Sequence, residues 1–188
     1  MKIYIKAAVT DTNKEPLEDR QDIALDPNTP IDVLEQLSND RDTSVLLCLI
    51  CNPHLPDYLV DKILSDDRWT FLEQVASCLS TPPEILARLS EHKHPLVRCK
   101  VAWNWNTPAD TLIKLSEDEN AGIRWEVGGN KNTPLNILKK LSKDPNSTCR
   151  GQVAENPSTP KEILRELMQD SEEFVRMLAK RNYNGRFR

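Results

Sequence analysis

The sequence has few glycines, few aromatic residues and no long hydrophobic run. No apolar stretch reaches the roughly 18 residues needed to span a bilayer. The opening MKIYIKAAVT lacks the continuous apolar segment of a secretory leader. A cytoplasmic location is therefore the expectation. The cysteines are Cys48, Cys51, Cys78, Cys99 and Cys149, an odd number that does not suit a closed disulfide framework. Reduced thiols are the simpler expectation. Hydrophobic residues make up 38% and aromatic residues 5%, thin for a globule and too rich for a disordered chain. Cys48-x-x-Cys51 has no second CxxC to complete a zinc site. No phosphate-binding glycine loop, nucleophile elbow or HExxH motif occurs, and no acid–base pair stands out. The chain is not expected to be an enzyme, and no metal or cofactor is expected.

Five glycines against 13 prolines read, as composition alone, like a loop-rich protein. The order of the prolines says otherwise. Six stand at 30, 56, 82, 108, 134 and 160, each 26 residues from the last. Five of them follow threonine: Thr29, Thr81, Thr107, Thr133 and Thr159. Four residues before each proline stands Asp26, Asn52, Cys78, Asn104, Asn130 or Asn156. A strict internal period of this length means a stacked array, because one such unit cannot bury its own hydrophobic face.

Counting from the asparagine column as position 1, six repeats span 26–51, 52–77, 78–103, 104–129, 130–155 and 156–181. Threonine and proline at positions 4 and 5 read as the N-cap and first residue of a helix. Position 9 is Leu34, Val60, Leu86, Leu112, Leu138 and Leu164; position 12 is Leu37, Ile63, Leu89, Leu115, Leu141 and Leu167. Spacings of three and four place them on one helix face, so a helix of two to three turns follows each proline. Positions 20 (Val45, Phe71, Val97, Ile123, Cys149, Val175) and 24 (Leu49, Val75, Val101, Val127, Val153, Ala179) mark a second helical face. That segment is short, and either an α-helix or tight 3₁₀ turns fits it. Residues 19–26 align with 97–104 as a half-repeat. Residues 1–18 lie outside the pattern, and MKIYIKAAVT is expected to form a cap, as a strand.

A period of 26 lies within the leucine-rich repeat range, but no repeat shows the L-x-L strand core. Asn156-Pro157-Ser158-Thr159-Pro160 followed by Ile163-Leu164 and Leu167 resembles instead the leucine-rich repeat variant family, as does Val97-Arg98-x-x-Val101-Ala102-x-Asn104. The resemblance covers about residues 19–184. It implies an all-α, right-handed solenoid of α-helices alternating with short α or 3₁₀ helices, distantly related to HEAT and armadillo arrays. Some members carry an iron–sulfur centre on an N-terminal cysteine cluster. Residues 1–47 contain no cysteine, so that cofactor is not carried over.

Two columns are candidates for function. Position 21 holds Arg98, Arg124, Arg150 and Arg176, with Arg20 in the half-repeat; position 15 holds Asp40, Asp66, His92, Asp118, Asp144 and Asp170. This pairing resembles the ladder of HEAT repeats and is read either as a structural ladder or as an arginine stripe for phosphate or carboxylate. His92 reads as a variant of the aspartate column and not as a ligand. Trp103 and Trp125 occupy outward positions 26 and 22 of neighbouring repeats, and Trp105 lies at position 2. Gly128, Gly129 and Gly151 are expected to leave space beside them. Exposed indoles among arginines are common hot-spot chemistry, while the plainer alternative is that they fill gaps between repeats. Charge is divided: residues 1–77 hold 7 Lys+Arg and 15 Asp+Glu, residues 78–188 hold 18 and 14. The net charge of −4 therefore averages an acidic half with a basic one.

The expected function is a non-enzymatic scaffold that binds a protein or peptide along the solenoid groove. The expected contacts are Arg98, Trp103, Trp105, Arg124, Trp125 and Arg150. The alternative is nucleic-acid binding through the basic C-terminal half. A HEAT-like DNA-modifying enzyme, with Glu126 beside the tryptophans, is a more remote one. No membrane partner or small-molecule substrate is expected.

Overall fold

Pro30, Pro56, Pro82, Pro108, Pro134 and Pro160 each stand directly before a helix, the first of its repeat. The computed structural model describes residues 15–66 and 68–187, so the expected strand in residues 1–10 lies outside the described residues. Thirteen helices and no strand occur among them. They are α1 (Leu17–Leu25), α2 (Ile31–Leu37), α3 (Thr43–Ile50), α4 (Asp57–Leu64), α5 (Trp69–Ser77), α6 (Pro83–Leu89) and α7 (Pro95–Trp103). There follow α8 (Ala109–Leu115), α9 (Ala121–Gly129), α10 (Leu135–Leu141), α11 (Ser147–Glu155), α12 (Lys161–Leu167) and α13 (Glu173–Phe187). Each 26-residue repeat is a pair: a helix of 7 or 8 residues, then one of 8 or 9, lengthened to 15 in α13. The fold is a helical repeat solenoid. The second segment, left open between α and 3₁₀, is the longer α-helix of each pair.

Two compact bodies divide the chain, Met1–Val75 and Ala76–Arg188. In the first, α1 lies against α3. In the second, α7, α9, α11 and α13 pack side by side in that order, with α8, α10 and α12 against them. The core is the set of columns read from the sequence: Leu86, Leu112, Leu138 and Leu164 are fully buried, as are Val97, Val101, Val127, Val153, Val175 and Ala179. Burying such side chains contributes about 1.5–3 kcal/mol each. That is how a chain of only 38% hydrophobic residues sustains a core from repeat to repeat within the second body.

The Thr-Pro step works differently from the expected N-cap. Pro108, Pro134 and Pro160 have φ near −60° and ψ of about 150° and themselves flank the helices, with no side-chain cap. The preceding threonine donates its hydroxyl backwards: Thr107 Oγ1 to the Val101 carbonyl at 2.5 Å, Thr133 to Val127 at 2.6 Å and Thr159 to Val153 at 2.6 Å. Proline pushes the residue before it out of the helical region, so the threonine cannot continue the previous helix. Its hydroxyl adds a second donor to a carbonyl of the last helical turn, which also accepts the amide of Asn104, Asn130 or Asn156. The true side-chain caps are at position 17, where Asn120 and Asn146 accept from the Gly122 and Thr148 amides.

Candidate functional site

The arginine column is a ladder that joins one repeat to the next. Arg98 Nε and Nη2 donate to Asp118 at 2.7 and 3.2 Å, Arg124 to Asp144 at 2.8 and 3.1 Å, and Arg150 to Asp170 at 2.7 and 2.9 Å. Each aspartate lies 20 residues ahead, in the following repeat. The third corner of each guanidinium, Nη1, donates to the carbonyls five and six residues behind it; for Arg124 these are Glu119 and Asp118. The side chains are 14–16% exposed and their carboxylate partners 5–8%. These arginines are thus committed inside the array. Of the two readings of the column, the ladder is the one the geometry builds, and the donors of Arg98, Arg124 and Arg150 are not free for a partner.

Each carboxylate has a second task. Asp118 and Asp144 accept the Asn120 and Asn146 amides at 2.9 and 2.8 Å. Burial pushes these two carboxyls up, but the arginine and amide hydrogen bonds outweigh it and hold both below the ordinary aspartate value. Asp170 is lowered first of all by Arg150. His92 fits the column as a variant: its Nδ1 accepts the His94 amide at 3.1 Å, the bond an aspartate makes elsewhere, and desolvation lowers its pKa.

A second ladder was not foreseen from the sequence. Asn104 Nδ2 donates to the Ala76 and Cys78 carbonyls at 2.8 and 2.9 Å, and Asn130 to Ala102 and Asn104 at 2.8 and 2.9 Å. Asn156 and Asn182 repeat the pattern in the second body, and Asn52 makes it in the first, to Ala24 and Asp26. The side-chain oxygen accepts the amide two residues on, as in Asn104 to Asn106. Asparagine alone carries two donors and an acceptor on so short a stem. The recurrence of Asn at position 1 was the available signal, and its meaning lay in contacts 26 and 28 residues away.

The tryptophans remain at the surface. Trp103 on α7 is 42% exposed, Trp125 on α9 is 37% and Trp105, in the turn after α7, is 52%. Trp103 and Trp125 make no ring contact with each other among the described residues. Lys131 sits over the Trp105 ring, its Nζ 4.3 Å from the centroid. Glu126, next to Trp125 on α9, accepts from the Cys99 thiol of α7 at 3.9 Å, and its pKa is raised by burial.

The expected space beside the glycines is already filled. A Cβ on Gly129 would stand 2.4 Å from Gln152 Nε2, and one on Gly151 would stand 2.8 Å from the Phe174 ring. A Cβ on Gly128 would meet Val153 at 3.3 Å. These glycines admit side chains of the next repeat and not a ligand. Cys149 is equally unavailable for chemistry: desolvation pushes its thiol up to about 11, and it donates to the Ala121 carbonyl. In the first body Arg20 reaches Asp40 only through Nη1, at 2.5 Å, and its buried Nε has no acceptor. A shallow recess of about 730 Å³ adjoins it, lined by Arg20, Asn39, Asp40, Arg41 and Asp42. Among the described residues no three His, Cys, Asp or Glu side chains form a group able to hold a metal. No helix there is long and apolar enough to cross a membrane.

Comparison with known proteins adds to this picture at the level of the fold. A solved structure described as a leucine-rich repeat variant with a novel repetitive protein structural motif matches 93% of this chain and 70% of its own, with a TM-score of 0.60 and 23% identity. The fold is that of a leucine-rich repeat variant. An engineered protein also aligns, over 89% of this chain and 88% of its own at 14% identity, but its TM-score of 0.35 carries no argument. No protein-family model and no curated protein matches the chain. In this leucine-rich repeat variant fold the Asp118, Asp144 and Asp170 carboxylates, their arginines, and the asparagine and threonine columns are structural, while the indoles of Trp103, Trp105 and Trp125 stay partly at the surface.

Proposed function

We propose that this leucine-rich repeat variant array is a non-catalytic scaffold that holds a protein or peptide against the exposed face of α7 and α9. One observation carries the reading. Three tryptophans of a chain that has four stand within residues 103–125, each more than a third exposed. Large indoles offer apolar area at low conformational cost and dominate binding energetics. Arg98, Arg124 and Arg150 brace the helices behind them instead of touching the partner.

The nucleic-acid alternative rested on those same arginines as a stripe, and with their donors spent on Asp118, Asp144 and Asp170 it has lost its main support. Affinity capture with the wild type and a Trp103→Ala/Trp125→Ala variant tests the proposal. The expected outcome is a partner set lost or weakened at least about tenfold, as for a hot-spot residue. Identical partners at identical strength would sink it.

A further inference from the structure

One part-buried carboxylate of the second body has no ion pair among the described residues. The acidic residues of Ala76–Arg188 are exposed apart from Asp118, Glu126, Asp144 and Asp170. Arg98, Arg124 and Arg150 grip three of these. Glu126 instead accepts from the Cys99 thiol at 3.9 Å, and a thiol is a weak donor. Burial raises its pKa, and the charge of Lys100 on α7 does not outweigh that effect.

The surroundings of this carboxylate are apolar and open. Leu96, Cys99 and Trp103 fall at i, i+3 and i+7 and so share one face of α7. Leu96 is 45% and Trp103 42% exposed, whereas Val97 and Val101 of the same helix are fully buried. By meeting Cys99, Glu126 reaches from α9 to the middle of an apolar stripe two turns long. Trp125, its neighbour in the chain, is 37% exposed. The arginine of α9, Arg124, is spent on Asp144, and the α11 side chain placed against Gly129 is the uncharged Gln152. A negative charge set among indoles and a leucine suits a cation on an apolar stem, which lysine and arginine both have. The chain makes one such contact itself, with Lys131 Nζ 4.3 Å from the Trp105 ring centroid.

We propose that Glu126 receives a lysine or arginine side chain of the bound protein segment, whose apolar stem lies along the face of Leu96, Trp103 and Trp125. This assignment rests on the scaffold role proposed above and gives the partner its charge. A neutral apolar segment would cover the carboxylate without replacing its water, which costs the desolvation of an unpaired charge. An acidic segment or a nucleic acid would bring a like charge against it. A basic side chain turns the same burial into a charge-assisted hydrogen bond.

The test uses the full 188-residue chain as the target for a phage library of random dodecapeptides. Peptides are selected on the wild type and counter-selected on Trp103→Ala/Trp125→Ala. The expected result is a family with lysine or arginine at a fixed place among apolar residues. The leading peptide is then synthesised together with a copy carrying norleucine at the basic position, which keeps the stem and removes the charge. The norleucine copy should bind the wild type at least about tenfold more weakly, as for a lost charge-assisted hydrogen bond. On Glu126→Gln the two peptides should bind within about twofold of each other, which closes a double-mutant cycle on this one pair. A urea midpoint of Glu126→Gln at or above the wild type's certifies its fold. Enriched peptides with no basic position overturn the assignment and leave the tryptophan face standing. Equal binding of the two peptides to the wild type does the same, as does an undiminished preference for the basic peptide in Glu126→Gln. A selection that yields no peptide dependent on Trp103 and Trp125 overturns the tryptophan face, and this assignment with it.

Discussion

Asn130 illustrates how much one side chain does here. It is 2% exposed, donates to the Ala102 and Asn104 carbonyls and accepts the Asn132 amide. Asn130→Ala removes all three hydrogen bonds and leaves the Ala102 carbonyl without this donor in the interior, and is expected to cost about 3 kcal/mol in urea unfolding. Arg124→Ala strands Asp144, whose side chain is 5% exposed, and should cost a similar 2–4 kcal/mol or so. The rung carboxylates also set an acid limit. Asp118, Asp144 and Asp170 are held below the ordinary aspartate value in the folded chain. The unfolded chain takes up these protons first, near the usual aspartate pKa of about 3.9. Stability from the rungs is therefore complete above that pH and is lost as pH falls through the lower folded values. Acid titration of the urea midpoint should show this decline, and Arg150→Met should reduce it. Glu126 has the opposite sign: its pKa is raised by burial, so its ionisation works against folding as pH rises. Glu126→Gln is expected to raise the midpoint slightly at pH 7 and leave it unchanged in acid.

At the level of helices, two glycines of one type should respond differently. At Gly129 the obstacle to a Cβ is the flexible end of Gln152, which can swing away while the helix gains the better propensity of alanine. Gly129→Ala is expected to fall within about 0.5 kcal/mol of neutral. At Gly151 the obstacle is the rigid Phe174 ring at 2.8 Å, so Gly151→Ala should cost about 1–2 kcal/mol. Thermal melts of the two variants compare them directly. Helix ends obey equally local chemistry. In α13 the threonine and proline positions are Gly185 and Arg186, with neither the hydroxyl that binds back nor the ring that forbids a further turn. The helix accordingly runs on to Phe187. Gly185→Thr with Arg186→Pro should end it near Asn182 and lower the helical circular dichroism.

For the whole array, equivalence of the repeats makes a length change tolerable. Removing residues 130–155 brings Asn156 into the place of Asn130 and sets Arg124 opposite Asp170, so every rung of the second body re-forms one step shorter. The shortened chain is expected to fold, with a smaller urea m-value and lower stability, as nearest-neighbour coupling requires. Charge is distributed at this scale too, with an acidic 1–77 and a basic 78–188. Arg98, Arg124 and Arg150 of the basic part are neutralised by rungs.

The sequence by itself determined the period, the buried columns and the helical class. The proline interval counts residues along the chain, and leucines spaced by three and four can share a face only on a helix. It also placed Arg and Asp in columns and the indoles at outward positions. Only the tertiary structure decided what those columns do. Arg98 meets the aspartate 20 residues ahead, Asn130 the carbonyls 26 and 28 residues behind, and Gly151 the ring of Phe174 in the next repeat. Such contacts depend on how one repeat stacks on another, a distance and rotation that no spacing within a single repeat specifies. The same stacking turned Arg98, Arg124 and Arg150 from a candidate binding stripe into the braces of the array.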